Sequence, residues 1–184
     1  MMQPDTLLMI RHGEKPDKDD SGVDQHGNSN GDALIPKGWA RAGALATLFD
    51  ANGTTLRSAL PTPDRLVSPC YSEPVHRTWL TLWPLAHRLG QKVHRKYSVA
   101  DTTHVAKHLL EADARVVLVC WEHDHMADIV HAISKQATVT NPHNLPSVWP
   151  DDRFDVIWRF DNVGGDWTFS EHDQQLLHGD VFDS

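Results

Sequence analysis

A three-layer α/β/α sandwich, with a mostly parallel central sheet and an antiparallel hairpin at one edge, is the fold this sequence predicts. Three observations carry it. Two short apolar runs, residues 6–10 and 115–121, lack the polar alternation of a half-exposed strand and so read as strands buried on both faces. Segments with apolar residues at helical spacing alternate with the strand signals. Near the end, two alternating runs, 154–160 and 167–169, flank Asn162-Val163-Gly164-Gly165-Asp166, a hairpin signal.

The elements follow in order. The run Thr6-Leu7-Leu8-Met9-Ile10 stops abruptly at Arg11-His12-Gly13, and sheets of this class bind ligands outside the carboxyl ends of their strands. Residues 15–32, rich in Asp, Gly, Asn and Ser, form a long loop of the kind that usually serves function. Pro36 then opens a helix over 37–49 with Trp39, Ala42, Leu45, Ala46 and Phe49 on its stripe. A short strand at 65–68 precedes a helix from about Pro74 to Leu89, bent at Pro84 and stopped by Gly90. Residues 92–99 alternate weakly as a strand. Asp101 or Thr102 caps a helix through Leu110, and the strong strand 115–121 leads into a helix over 125–136 on Met126, Ile129, Val130 and Ile133. Trp39, Trp79, Trp83 and Leu80 are read as core.

Composition narrows the function. At 184 residues the length fits one domain, 1–184, and the 40% apolar and 23% charged content is that of an ordinary globular protein. A formal charge of -8 argues against broad binding to nucleic acid or to an anionic membrane. No apolar stretch has the length of a membrane span. Cys70 and Cys120 are too few for a disulfide scaffold, and Met1 to Asp5 lacks the basic flank of a signal peptide, so a cytoplasmic protein is expected. The 13 histidines make a metal site worth weighing.

Arg11-His12-Gly13-Glu14 after the first strand, Gly38 and Arg41-Ala42 in the first helix, Arg77-Thr78 in the second, and His123-Asp124 after the strong strand stand in an order that resembles the histidine phosphatase superfamily, the phosphoglycerate-mutase-like fold. The segment Leu34-Ile35-Pro36-Lys37-Gly38-Trp39-Ala40-Arg41-Ala42 is similar to the family's Leu-Thr-x-x-Gly-x-x-Gln-Ala. The resemblance implies a phosphohistidine formed on His12, phosphate held by Arg11 and Arg77, and His123 completing the pocket. It implies a small phosphorylated substrate, no metal and no other cofactor. Asp124 matches the proton donor of the acid-phosphatase branch, while the mutase branch points to Asp101, Glu111 or Asp113. Arg41 and Glu14 are candidate substrate-binding or orienting residues, and Arg65 is the alternative to Arg77. Two features depart from the pattern: Trp121-Glu122 precede His123 where glycine is common, and the path from Ser68 to Arg77 is long.

The chemistry is coherent without the family. A loose phosphoryl transition state spreads charge over its equatorial oxygens, which Arg11, Arg77 and His123 can match with fixed donors. Two guanidinium groups also disfavour protonation of His12, and only a neutral imidazole attacks. One carboxyl group can protonate the leaving oxygen and later take a proton from water. Asp124 is preferred to Asp101 because it shares a strand end with His12. A rival is a metal-dependent hydrolase on His123, His125 and Asp128, with Glu122 and His131 nearby, although that cluster fits no common template and leaves Arg11-His12 unexplained. A third reading is a non-catalytic phosphate-binding relative. His104 and His108, four apart, are read as a solvated helix face.

Overall fold

The computed structural model describes residues 3–50 and 60–181; Met1 and Met2, part of the amino-terminal segment considered above, and the stretch 51–59 lie outside it. The six-stranded sheet has the order β3-β2-β4-β1-β5-β6. Its strands are β1 (Thr6–Arg11), β2 (Arg65–Val67), β3 (Val93–His94), β4 (Val116–Trp121), β5 (Val156–Val163) and β6 (Asp166–Asp173). The first four in space, β3, β2, β4 and β1, run parallel; β5 pairs antiparallel with β1, and β6 antiparallel with β5. The expected mostly parallel sheet with an antiparallel edge hairpin is what forms.

Period-two alternation assigns each strand residue to a layer. Leu7, Met9, Val117, Val119 and Trp121 pack with Leu109, Met126, Ile129 and Ile133, from α3 (Thr102–Leu110) and α4 (His123–Gln136). Leu8, Ile10, Leu118 and Cys120 pack on the other face with Leu45, Phe49, Leu82 and Leu85, from α1 (Pro36–Phe49) and α2 (Arg77–Leu89). Every residue of β1 and β4 is buried, which is why neither strand shows a polar period. Arg11 lies opposite Trp121 in the parallel register, so the residues after both strands emerge at one edge.

Several boundaries move from their expected positions. The second helix starts at Arg77 instead of about Pro74, because His76 is its N-cap: an extended residue whose side chain accepts from Thr78 N. The fourth helix starts at His123, two residues early, with Glu122 as N-cap. Only Val93 and His94 of the weak run 92–99 join the sheet. Leu80 is core, whereas Trp39, Trp79 and Trp83 are only partly buried: Trp39 and Trp79 pack against the cluster of Ala33, Leu34, Ala42 and Leu80, and Trp39 meets Trp83 edge-on with centroids 6.2 Å apart. Gly90 stops α2 in the left-handed conformation, and Gly164 and Gly165, both with positive φ, close the β5–β6 hairpin.

Candidate active site

The site is built where β1 and β4 end. Beyond Arg11 the chain turns under α1, and the contact is so close that a Cβ on Gly13 would lie 2.9 Å from Gly38 O, and one on Gly38 would lie 2.4 Å from Glu14 O. Glycine at both positions is therefore a packing requirement. Ile35 N donates to Glu14 O at 3.1 Å, sealing the helix start against the turn. From the other side, Thr81 Oγ1 accepts from Gly13 N at 2.8 Å and donates to Arg77 O at 2.7 Å. The turn is thus fixed to α1 by backbone contact and to α2 by one hydroxyl.

His12 is 2% exposed. Its Nδ1 lies 2.7 Å from Gly13 O, which holds a proton on that nitrogen and leaves Nε2 with a lone pair and, among the described residues, no hydrogen bond. Burial pushes its pKa well below the usual histidine value, and Arg11, Arg77 and His123 push it down further, against the raising effect of the Gly13 carbonyl. The ring is neutral at pH 7. Arg11, 3% exposed, donates through Nη1 to Asp151 O at 2.5 Å and stacks its guanidinium 3.9 Å from the Phe154 centroid. Arg77 donates through Nη2 to Gly31 O at 3.1 Å, with Asp32 Oδ1 at 3.5 Å, so the long loop 15–32 braces it. His123, at the first position of α4, sits with its ring centroid 6.5 Å from that of His12, nearly perpendicular at 81°.

The unpartnered polar atoms bear on the chemistry this cluster can accommodate. Among the described residues, buried side-chain polar atoms without a partner include Arg11 Nε, Arg77 Nε and His123 Nδ1. Buried donors are rarely left unpaired, since each costs about 1–3 kcal/mol. The two guanidinium Nε–H groups beside a neutral histidine suit a tetrahedral oxyanion, whereas His123, with Nε2 3.2 Å from Asp124 Oδ1, carries its proton on that nitrogen when neutral and leaves Nδ1 an acceptor.

Known structures carry the same architecture. A mutant phosphoserine phosphatase from Entamoeba histolytica in complex with phosphoserine is similar at a TM-score of 0.54 and 15% identity, over 94% of this chain and 98% of that one. A mycobacterial glucosyl-3-phosphoglycerate phosphatase in complex with VO3 gives 0.57 and 15%, over 90% and 96%. A putative alpha-ribazole-5′-P phosphatase from Escherichia coli gives 0.57 and 13%, over 95% and 98%. The chain shares the fold of these phosphatases, which is the α/β/α fold that the resemblance to the histidine phosphatase superfamily implies. No protein-family model and no curated protein matches the sequence.

Within this histidine phosphatase fold, His12, Arg11, Arg77 and His123 are brought together. Arg65 is not: its charge acts on His94 and His108. Asp124 is 69% exposed on its side chain, with Oδ1 3.2 Å from His123 Nε2, and it is the strongest carboxylate influence on Arg11. Asp101 is engaged elsewhere, its Oδ1 2.6 Å from His104 Nδ1. Burial, then Arg11, lowers the His123 pKa while Asp124 opposes them.

Arg41 occupies a place that neither a substrate ligand nor a surface residue would. It is 2% exposed, and all five N–H groups are taken: Nε by Glu14, Nη1 by Gln174 Oε1 at 3.0 Å and Asp180 Oδ2 at 3.1 Å, Nη2 by Glu14 Oε1 and Asp180 Oδ1, each at 2.8 Å. No donor remains for a substrate. Glu14 therefore anchors the turn after His12 to Arg41, with Lys37 Nζ 3.8 Å away.

Glu122 Oε1 accepts from Tyr71 Oη at 2.8 Å, and among the described residues it pairs with neither Arg11 nor Arg77. Among the described residues no three His, Cys, Asp or Glu side chains are grouped as a metal needs, and Asp128 and His131 open away beside Thr102 and Thr103. His104 and His108 pack around the Tyr97 ring. Sequence reasoning missed Phe154 and Asp151, which hold Arg11 from 140 or more residues away; the turn-forming Pro150-Asp151-Asp152 marks a loop but nothing in it names its partner.

Proposed function

We propose that this chain is a metal-independent phosphomonoester hydrolase that works through a phosphohistidine on His12. The observation that supports it most is the pair of unpartnered guanidinium donors Arg11 Nε and Arg77 Nε beside a neutral imidazole. His12 Nε2 attacks phosphorus, the ester P–O bond breaks, and the leaving oxygen takes a proton from Asp124. Water then attacks the phosphohistidine, gives a proton to the Asp124 carboxylate, and the P–N bond breaks to release phosphate and neutral His12. Arg11 and Arg77 carry the equatorial charge, the part a metal plays in other phosphatases. The carboxylates acting on Arg11 are Asp124, Asp151, Glu14 and Asp152, so the pocket is a local positive island with an acidic rim. Such a rim disfavours substrates bearing further negative charge beyond the phosphate.

Small phosphorylated substrates fit this reading, and related folds are named for phosphoserine and glucosyl-3-phosphoglycerate. Cys70 and Cys120 are both free, which suits a reducing cytoplasm, and among the described residues no helix is long and apolar enough to cross a membrane. The test is hydrolysis of an aryl phosphate in EDTA together with trapping of an acid-labile phosphoenzyme. Turnover that survives chelator, with a phosphoenzyme missing in His12→Ala, is the expected result. Turnover abolished by chelator and retained in His12→Ala would overturn it. Tight vanadate binding without turnover would leave a phosphate-binding regulator instead.

A further inference from the structure

Two departures from the family's sequence pattern meet in space. The stretch between Ser68 and Arg77 is long, and Glu122 stands directly before His123. Tyr71 and His76, both from that stretch, converge on Glu122: Tyr71 Oη donates to Oε1 at 2.8 Å, and His76 Nε2 lies 3.5 Å from the same oxygen. Their rings are stacked, with centroids 3.6 Å apart and planes 18° apart. The extra residues of the loop thus supply the partners for the unusual acid.

The cluster connects the two oxyanion-binding elements. His76 precedes Arg77, the first residue of α2, and Glu122 precedes His123, the first residue of α4. Burial, with help from Arg77, pushes the His76 pKa down to about 4, so its contact with Glu122 is between a neutral ring and a carboxylate and is not an ion pair. A carboxylate at that distance favours the proton on Nε2. Nδ1 is then an acceptor, and Thr78 N donates to it at 3.4 Å, capping α2. Were the proton on Nδ1, the cap would be lost. Burial and the Glu122 contact keep Tyr71 a phenol, and so a donor.

We infer that Glu122 is a positioning residue: by taking the Tyr71 hydroxyl and facing the Nε2 proton of His76, it fixes the tautomer that caps α2 and holds Arg77 and His123 around one oxyanion. The effect on turnover rests on the phosphatase reading. The effect on the His76 tautomer does not.

Two measurements test it. In the first, Glu122→Ala lowers kcat/KM for an aryl phosphate and weakens vanadate inhibition in parallel, by roughly 10- to 100-fold, the scale of a misplaced binding group. Tyr71→Phe, which keeps the ring stack, does the same to a smaller extent. Adding His76→Asn to Glu122→Ala recovers most of the loss, because asparagine caps a helix without needing a tautomer. Folded Glu122→Ala and Tyr71→Phe proteins with unchanged kcat/KM and vanadate affinity would overturn the inference, as would a double variant that recovers nothing. In the second, long-range proton–nitrogen NMR reads the His76 ring directly: Nε2–H in the wild type, lost in Glu122→Ala. An Nδ1–H ring in the wild type overturns the inference whatever the activity. A wild type with the expected tautomer and no turnover upholds it and refutes the phosphatase reading instead.

Discussion

The Thr81 hydroxyl accepts from the Gly13 amide at 2.8 Å, and the same oxygen donates to the Arg77 carbonyl. A single buried side chain therefore links the turn after His12 to the helix that carries Arg77. Thr81→Val keeps the shape and removes both bonds. The unpaired Gly13 N–H costs about 1–3 kcal/mol, seen as a lower melting temperature, and kcat falls more than KM rises as Arg77 loses register with His12. An unchanged kcat in the folded variant would show that the backbone contact with α1 suffices.

Gly38→Ala places a methyl group 2.4 Å from Glu14 O, a distance no neighbour can absorb because the clashing atom is backbone. Overpacking of this kind costs about 1–3 kcal/mol or more. The displaced turn carries His12 with it, so turnover falls even in protein that remains folded at low temperature. Gly43→Ala, in the same helix with open space around its Cβ, serves as the control and is expected to be neutral or slightly stabilising.

Breaking the Arg41 network separates support from substrate contact. Asp180→Asn removes the charge that accepts from Nη1 and Nη2, and removing one partner of a buried pair costs about 3–5 kcal/mol. Chemical denaturation should read that loss. KM for an aryl phosphate, measured well below the midpoint, should stay within about twofold, since Arg41 has no N–H to offer a ligand. A large rise in KM with little loss of stability would return Arg41 to the substrate pocket.

Acid should destabilise the fold through its buried neutral histidines. His12 and His76 have native pKa values below that of the unfolded chain, His76 at about 4, so between that value and the unfolded value near 6.5 the unfolded state binds more protons. Stability is complete above about pH 6.5 and is lost as pH falls toward 4, with His76 alone contributing roughly 3 kcal/mol. Denaturation midpoints from pH 7 to 4.5 check this, and His76→Asn should flatten the curve. His12 ring resonances should likewise remain those of a neutral imidazole below pH 6; half-protonation near 6.5 would contradict its burial.

Much of this architecture was legible from the chain. The runs ending at Ile10 and Trp121 announced central strands because both faces are buried, and Pro36, Gly90 and Gly164-Gly165 marked boundaries through backbone chemistry that acts locally. Where local chemistry was misleading, boundaries moved: histidine is not a customary N-cap, so Pro74 drew attention three residues too early. The larger misses are all long-range. Nothing adjacent to Arg41 says that Asp180 will neutralise it, nothing near Arg11 names Phe154, and nothing beside Glu122 says that Tyr71 and His76 will meet it. Periodicity reports which face of an element is buried. It carries no information about which distant polar partner meets it there.

The reliance of Glu14 on Arg41, and of Arg41 on Asp180, has a temporal side. A ribosome makes Asp180 well over a hundred residues after Glu14 and Arg41, which at about 5–20 residues per second is a delay of many seconds. During that interval the guanidinium lacks both oxygens of Asp180, and for most of it Gln174 as well, and cannot be buried cheaply. The turn behind His12 gains its last anchor only when residue 180 has been made.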